Sequence, residues 1–217
     1  MSCHNIGHGI NTVNKEILKL LSEEKINFEV AFHLLCVARD AINYCDGNSY
    51  EAVECLEDKC GVCLKEKATT NIYDLPEEKK HLRCLLEDAG YSSVIVNGFI
   101  CDKCIDKLLI EYKTNLSHLI IEYLIRTHKQ TMSLYALNGV LRFISQKVYK
   151  EKIMNVKLPS AVYWADLELL DLESLNILSL NEDKKEIELN PTVNLSELGK
   201  DDIIKNLVCD FADSRNL

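Results

Sequence analysis

Apolar side chains recur every three or four residues through most of this chain, the period of a helix with one buried face. Val13, Ile17, Leu20 and Leu21 share a face, with Asn11 or Thr12 as the cap before it. Residues 1–10, with Gly7 and Gly9 around His8, read as a loose terminus. Asn27 caps a second helix whose apolar stripe is Phe28, Ala31, Phe32, Leu35, Ala38, Ile42 and Cys45. Asp46 and Gly47 break it, and a short helix follows through Val53 and Leu56. Over 105–150 the spacing predicts two long helices. Ile105, Leu109, Tyr112, Leu116, Leu119 and Tyr123 form one heptad seam, and Leu134, Leu137, Leu141, Ile144 and Val148 form another. A turn at 128–131 folds them into a hairpin, and Gly139 predicts a bend or a close helix contact.

Elsewhere the period changes. Residues 64–73 are polar and irregular. Asp74 and Pro76 open a helix that Gly90 stops. Residues 94–100 are β-branched and apolar around Asn97-Gly98, a hairpin signal. Beyond Pro159 the chain becomes Leu-rich and acidic, and Asp166, Glu168, Asp171, Glu173, Glu182 and Asp183 read as a solvated face. Residues 185–189 alternate like a half-buried strand. A last helix turns Ile203, Ile204, Leu207, Val208 and Phe211 inward, and 212–217 fray. The expected fold is mainly α with a small β component. Its parts are an N-terminal helical region (1–58), a zinc-binding element (59–112), a helical hairpin (105–155) sharing its first helix with that element, and an acidic α+β region (160–217).

Composition narrows the setting. The chain has 217 residues, of which 47% are hydrophobic, enough for one domain or two small ones. It has neither an 18-residue apolar run nor the basic and apolar regions of a signal peptide, so a cytoplasmic, membrane-free protein is expected. In that compartment its ten cysteines read as metal ligands and buried thiols, not a disulfide frame. A net charge of -9 opposes general nucleic-acid affinity and favours a basic protein partner.

The chemistry concentrates in two Cys-x-x-Cys pairs, Cys60/Cys63 and Cys101/Cys104. Together they supply four thiolates, the ligand set of a closed tetrahedral Zn2+ site with no open position, hence a structural metal. Gly61 permits the tight turn of a knuckle. Lys59, Lys65, Lys67, Lys103 and Lys107 surround the ligands and could offset their charge or form a partner-binding rim. His81 and Cys84 are reserve donors on the 74–89 helix. Cys3, His4 and His8, with Cys45, could form a second metal or thiol cluster, or a thiol enzyme's nucleophile and base. The sequence contains no phosphate-binding Gly-rich loop and no His-Glu-x-x-His or Gly-x-Ser-x-Gly motif.

A knuckle at Cys60, a hairpin at 94–100 and a second pair opening a helix resemble the treble-clef class of zinc-binding folds. The likeness covers residues 60 to about 112, with the 74–89 helix as an insertion. It implies a fold element, not an activity. The opening residues 1–7, Cys45-Asp46-Gly47-Asn48 and the Cys60 knuckle also resemble small uncharacterised bacterial cytosolic proteins, over the first hundred residues at most. Neither likeness carries an activity; size, cytosolic thiols and charge instead lead to the expected function, a non-catalytic, zinc-stabilised protein-interaction role of the kind played by bacterial or phage antagonist or immunity proteins. The alternatives are a nucleic-acid-binding regulator using the basic rim, and a thiol-dependent enzyme using Cys3 or Cys45. A heptad seam left exposed would support a homodimer.

Overall fold

The computed structural model describes residues 3–44, 52, 54–56, 58–75, 83, 85–86, 98–151, 156–190 and 202–216. The protein is mainly α with a minor β part, two small sheets lying among the described residues. It divides into two compact units: Met1–Leu75 with Ser93–Cys104, and Pro76–Ser92 with Ile105–Leu217. Among the described residues no helix is long and apolar enough to cross a membrane.

The first unit starts with α1 (Cys3–Ser22) and α2 (Phe28–Tyr44). Residues 3–10 of the terminus expected to be loose form the first turns of α1. Asn11 is not a cap but lies mid-helix, buried to 3% exposure. Glu24 ends α1 in the left-handed region (φ 56°), where the N–H of Lys25 reaches back to the Leu20 carbonyl at 2.9 Å. Asn27 caps α2 as expected: its Oδ1 accepts the Val30 N–H at 2.9 Å. Ala31, Leu35, Ala38 and Ile42 are buried, whereas Phe28 stays partly exposed. Cys45 lies outside the described residues.

Side-chain amides of α1 then hold the next segment. Asn11 Nδ2 donates to Glu54 Oε2 at 3.0 Å, and Asn11 Oδ1 accepts the Cys55 N–H at 3.1 Å. Asn14 Nδ2 donates to the Ala52 carbonyl at 2.8 Å. A single 3-10 turn, Glu54–Leu56, carries Leu56 into a core with Ile17, Ala31, Leu35 and Leu64. Strands β1 (Thr70–Asn71) and β2 (Phe99–Ile100) pair antiparallel, Thr70 opposite Ile100 and Asn71 opposite Phe99. The stretch 64–73 is therefore not irregular throughout. Residues 94–97 of the expected hairpin, and 76–82 and 87–90 of the expected helix, lie outside the described residues.

Helix α3 (Asp102–Thr127) opens in the first unit and continues, from Ile105, in the second. Strand β3 (Thr131–Ser133) and α4 (Leu134–Glu151) follow. After them come α5 (Trp164–Leu169), a 3-10 turn (Leu172–Leu175), β4 (Leu178–Asn181), β5 (Glu186–Leu189) and α6 (Asp202–Arg215). The sheet order is β3-β5-β4, antiparallel throughout, with Ile187 opposite both Met132 and Leu180. Both heptad seams pack into this unit's own core: Tyr112, Leu116, Leu119, Leu137, Leu141 and Ile144 are all essentially inaccessible.

Several local expectations change. The 128–131 turn runs into β3, which pairs with β5 and so joins the two long helices to the acidic region. Asp166 is fully buried rather than solvated, and in a capping box at the start of α5 its carboxylate accepts the N–H of the N-cap Tyr163. Glu173 Oε1 accepts the Leu180 N–H at 2.8 Å. Ile203 is 41% exposed, while Ala212 is fully buried and α6 continues to Arg215, so the tail does not fray at 212. A Cβ on Gly139 would meet nothing within 4 Å, so no close helix contact exists there.

Candidate metal centre

The first cysteine pair sits in a loop closed by an antiparallel bridge between Lys59 and Lys67. Inside it the Cys60 N–H donates to the Glu66 carbonyl at 2.9 Å, and the Leu64 N–H to the Cys60 carbonyl at 2.8 Å. The tight reversal puts Leu64 at φ 58°, an uncommon conformation for a non-glycine residue. Its side chain offsets that strain by burial in the first core, at 3% exposure. The buried Gly61 N–H donates to the Phe99 carbonyl at 2.7 Å, tying the loop to β2.

Strand β2 delivers the second pair. The N–H groups of Thr69 and Ile72 donate to the carbonyls of Ile100 and Gly98, each at 3.0 Å. Thr69 Oγ1 donates to Asp102 Oδ1 at 2.8 Å, fixing the start of α3. Cys101 immediately precedes that helix, and the Cys104 N–H donates to the Cys101 carbonyl at 2.9 Å. Sulfurs at a helix N-terminus are favoured as anions by the helix dipole.

All four sulfurs lie within 4.8 Å of one another. Cys60, Cys101 and Cys104 are buried, Cys63 is half-buried, and all four are free thiols. Four converging soft donors suit a thiophilic metal ion, and the set can hold one. Burial raises the Cys60 thiol above its ordinary value. Burial also raises Cys104, reinforced by its contact with Cys101 and the charge of Cys60. At Cys63 burial pushes the same way, but the N–H groups of Glu66 and Lys65 and the thiols of Cys60 and Cys104 outweigh it, lowering the thiol to about 7. The Glu66 N–H lies 3.5 Å from Cys63 Sγ. Backbone donors of this kind stabilise metal-bound thiolates from outside the ligand set.

The lysine rim divides. Lys103 pairs with Glu66 at 3.2 Å, and that carboxylate raises its pKa. Lys107 belongs to the second unit, where it faces Glu111 at 3.8 Å. Lys65 and Lys67 are exposed and Lys59 is half-buried. Of the expected N-terminal cluster, only His4 and His8 have described side chains. His4 and His8 stand exposed one turn apart on α1, Cys3 is described only in its backbone, and Cys45, His81 and Cys84 lie outside. Burial raises the Cys55 thiol.

Sequence reasoning missed the supports of the site: Glu66 as donor to Cys63, Thr69 as the link to Asp102, and β1 as partner of β2. Each is a contact between polar residues of ordinary type, and no spacing announces it. Comparison with known proteins finds no matching protein-family model, no matching curated protein and no matching solved structure.

Proposed function

We propose that the chain is a non-catalytic, zinc-stabilised interaction protein, of antagonist or immunity type, with a basic protein as its partner. Cys60, Cys63, Cys101 and Cys104 hold a structural Zn2+ in a treble-clef-type element. Tetrahedral Zn–S bonds of ~2.3 Å place sulfurs about 3.8 Å apart, which a cluster spanning 4.8 Å accommodates. The order of knuckle, paired strands and a helix holding the last ligand supports the treble-clef reading. Four thiolates leave no position for substrate, so the metal acts as a clamp.

The observation that carries the binding role is the outward face of α2. Val30, Leu34 and Val37, spaced four and three apart, are 44%, 40% and 51% exposed, opposite the buried Ala31, Leu35 and Ala38. An apolar stripe on a helix suits a protein surface, and a chain of net charge -9 favours a basic one. The lysine rim supports nucleic-acid binding less well, because Lys103 and Lys107 are already paired with carboxylates.

The test is affinity purification from the native cell, with elemental analysis of the purified chain. One zinc per chain and a stoichiometric basic partner, lost on Leu34→Asp at unchanged melting temperature, are expected. A zinc-free protein whose Cys63→Ser variant is as stable as the parent would overturn the clamp. Absence of any partner at micromolar concentration in its own lysate would overturn the binding role.

A further inference from the structure

The second unit contains a groove of ≈ 740 Å3 between the N-terminal half of α4 and the C-terminal end of α6, floored by α3. Its volume lies in the range of small-molecule sites. Phe211 and Tyr123 form the floor, 7% and 4% exposed, with ring centroids 6.4 Å apart. Phe143 stands edge-on to Phe211 at 5.5 Å. Tyr135 rises on the rim with 90% of its surface exposed. Such walls suit a flat ring.

The polar groups of the groove point to the ligand's charge. Arg142 and Arg215 are its charged lining residues, and neither forms an ion pair among the described residues. The nearby acids of α6 are engaged elsewhere: Asp213 by Arg126 at 2.6 Å, and Asp210 by Lys147. Two uncommitted guanidinium groups are notable in a chain of net charge -9. The hydroxyl of the nearly buried Tyr123 also has no hydrogen-bond partner among the described residues. Asn138, by contrast, is committed: its amide exchanges hydrogen bonds with the Val162 backbone at 2.8 and 2.9 Å. Gly139 leaves the wall open, since a Cβ there would touch nothing within 4 Å.

We propose that this groove binds a small aromatic anion, a ring bearing a carboxylate or phosphate and no larger than a mononucleotide. The ring lies against Tyr135, Phe143 and Phe211. Arg142 and Arg215 take the anionic group, for which the guanidinium fork is matched, and the Tyr123 hydroxyl bonds the ligand's polar edge. The site is independent of the metal centre and of the α2 face, so it stands or falls apart from the interaction role.

The test is calorimetric titration of the full metal-loaded chain with adenosine monophosphate and, separately, indole-3-acetate. Adenosine and inorganic phosphate serve as ring-only and anion-only controls. At least one aromatic anion should bind about tenfold or more tightly than its controls, and which one does so distinguishes phosphate from carboxylate. Arg142→Gln and Arg215→Gln should each weaken binding about tenfold. Gly139→Leu, which fills the groove and suits a helix, should abolish binding without lowering the melting temperature. No binding of either anion at millimolar concentration, or binding unchanged in Gly139→Leu, overturns the proposal. So does self-association that Gly139→Leu abolishes while neither anion binds, which would make a second copy the occupant.

Discussion

Three asparagines in the first unit behave differently because their partners lie at different distances along the chain. Asn27 caps α2 through Val30, three residues on. Asn11 and Asn14 bond to Glu54, Cys55 and Ala52, about forty residues away. The first contact was legible in the sequence because a cap is local. The others were not, and Asn11 read as a cap for lack of any visible partner. Asn27→Ala should cost about 1 kcal/mol, the usual value for a lost cap. Asn11→Ala should cost about 1–3 kcal/mol, since it leaves the Cys55 N–H unpaired in a half-buried place. Urea titration of both variants checks the order. An Asn11→Ala variant as stable as the parent would show that water serves the Cys55 N–H equally well. Asp166 follows the same logic: its acidic character suggested solvent, but its position three residues after Tyr163 lets its carboxylate accept the N–H of that N-cap.

At the scale of elements, length decided what could be read. Helices α1, α2, α3, α4 and α6 follow from periods sustained over many residues. The alternation at 185–189 likewise gave β5, with Ile187 inward. The strands β1 and β3 contain two or three residues each, too few for a period, and only their partners define them; β2 falls in the β-branched stretch 94–100, but its pairing with β1 was not legible. The β1–β2 pair leans on Gly98, whose φ of +76° favours glycine and whose added Cβ would meet the Tyr73 ring at 2.3 Å. Gly98→Ala should therefore destabilise the first unit by about 1–2 kcal/mol. It should also weaken metal binding, because β2 leads directly into Cys101. Competition with a chromophoric chelator measures the second effect, and unchanged affinity would uncouple the strand pair from the site.

For the whole molecule, the two units rest on different supports. The first has a small apolar core of Ile17, Ala31, Leu35, Leu56 and Leu64 beside the four thiols. The second has an extensive core of its own, from Tyr112 to Phe211, with no metal-ligand cluster among its described residues. Chelation should therefore raise hydrogen exchange at 58–75 and 98–104 while β4, β5 and α4 stay protected. Equal loosening of both units would contradict separate supports. Acidification should act in the same direction as chelation, because thiolate ligands must lose their protons to bind and regain them as pH falls.

The sequence by itself determined the long helices apart from the first turns of α1, the cap at Asn27, the β5 alternation and the four cysteines as one group able to hold a metal ion. Those signals are local or, for the two Cys-x-x-Cys pairs, chemically distinctive whatever lies between them. Only the tertiary structure decided that Thr70–Asn71 pairs with Phe99–Ile100 and that β3 joins the acidic region to the long helices. It alone decided that the heptad seams are filled from within, and that Arg142 and Arg215 share a groove with Tyr123. These are pairings between residues far apart in the chain, each of an unremarkable type. Their free energy comes from apolar burial and hydrogen-bond satisfaction that exist only after the chain has closed on itself.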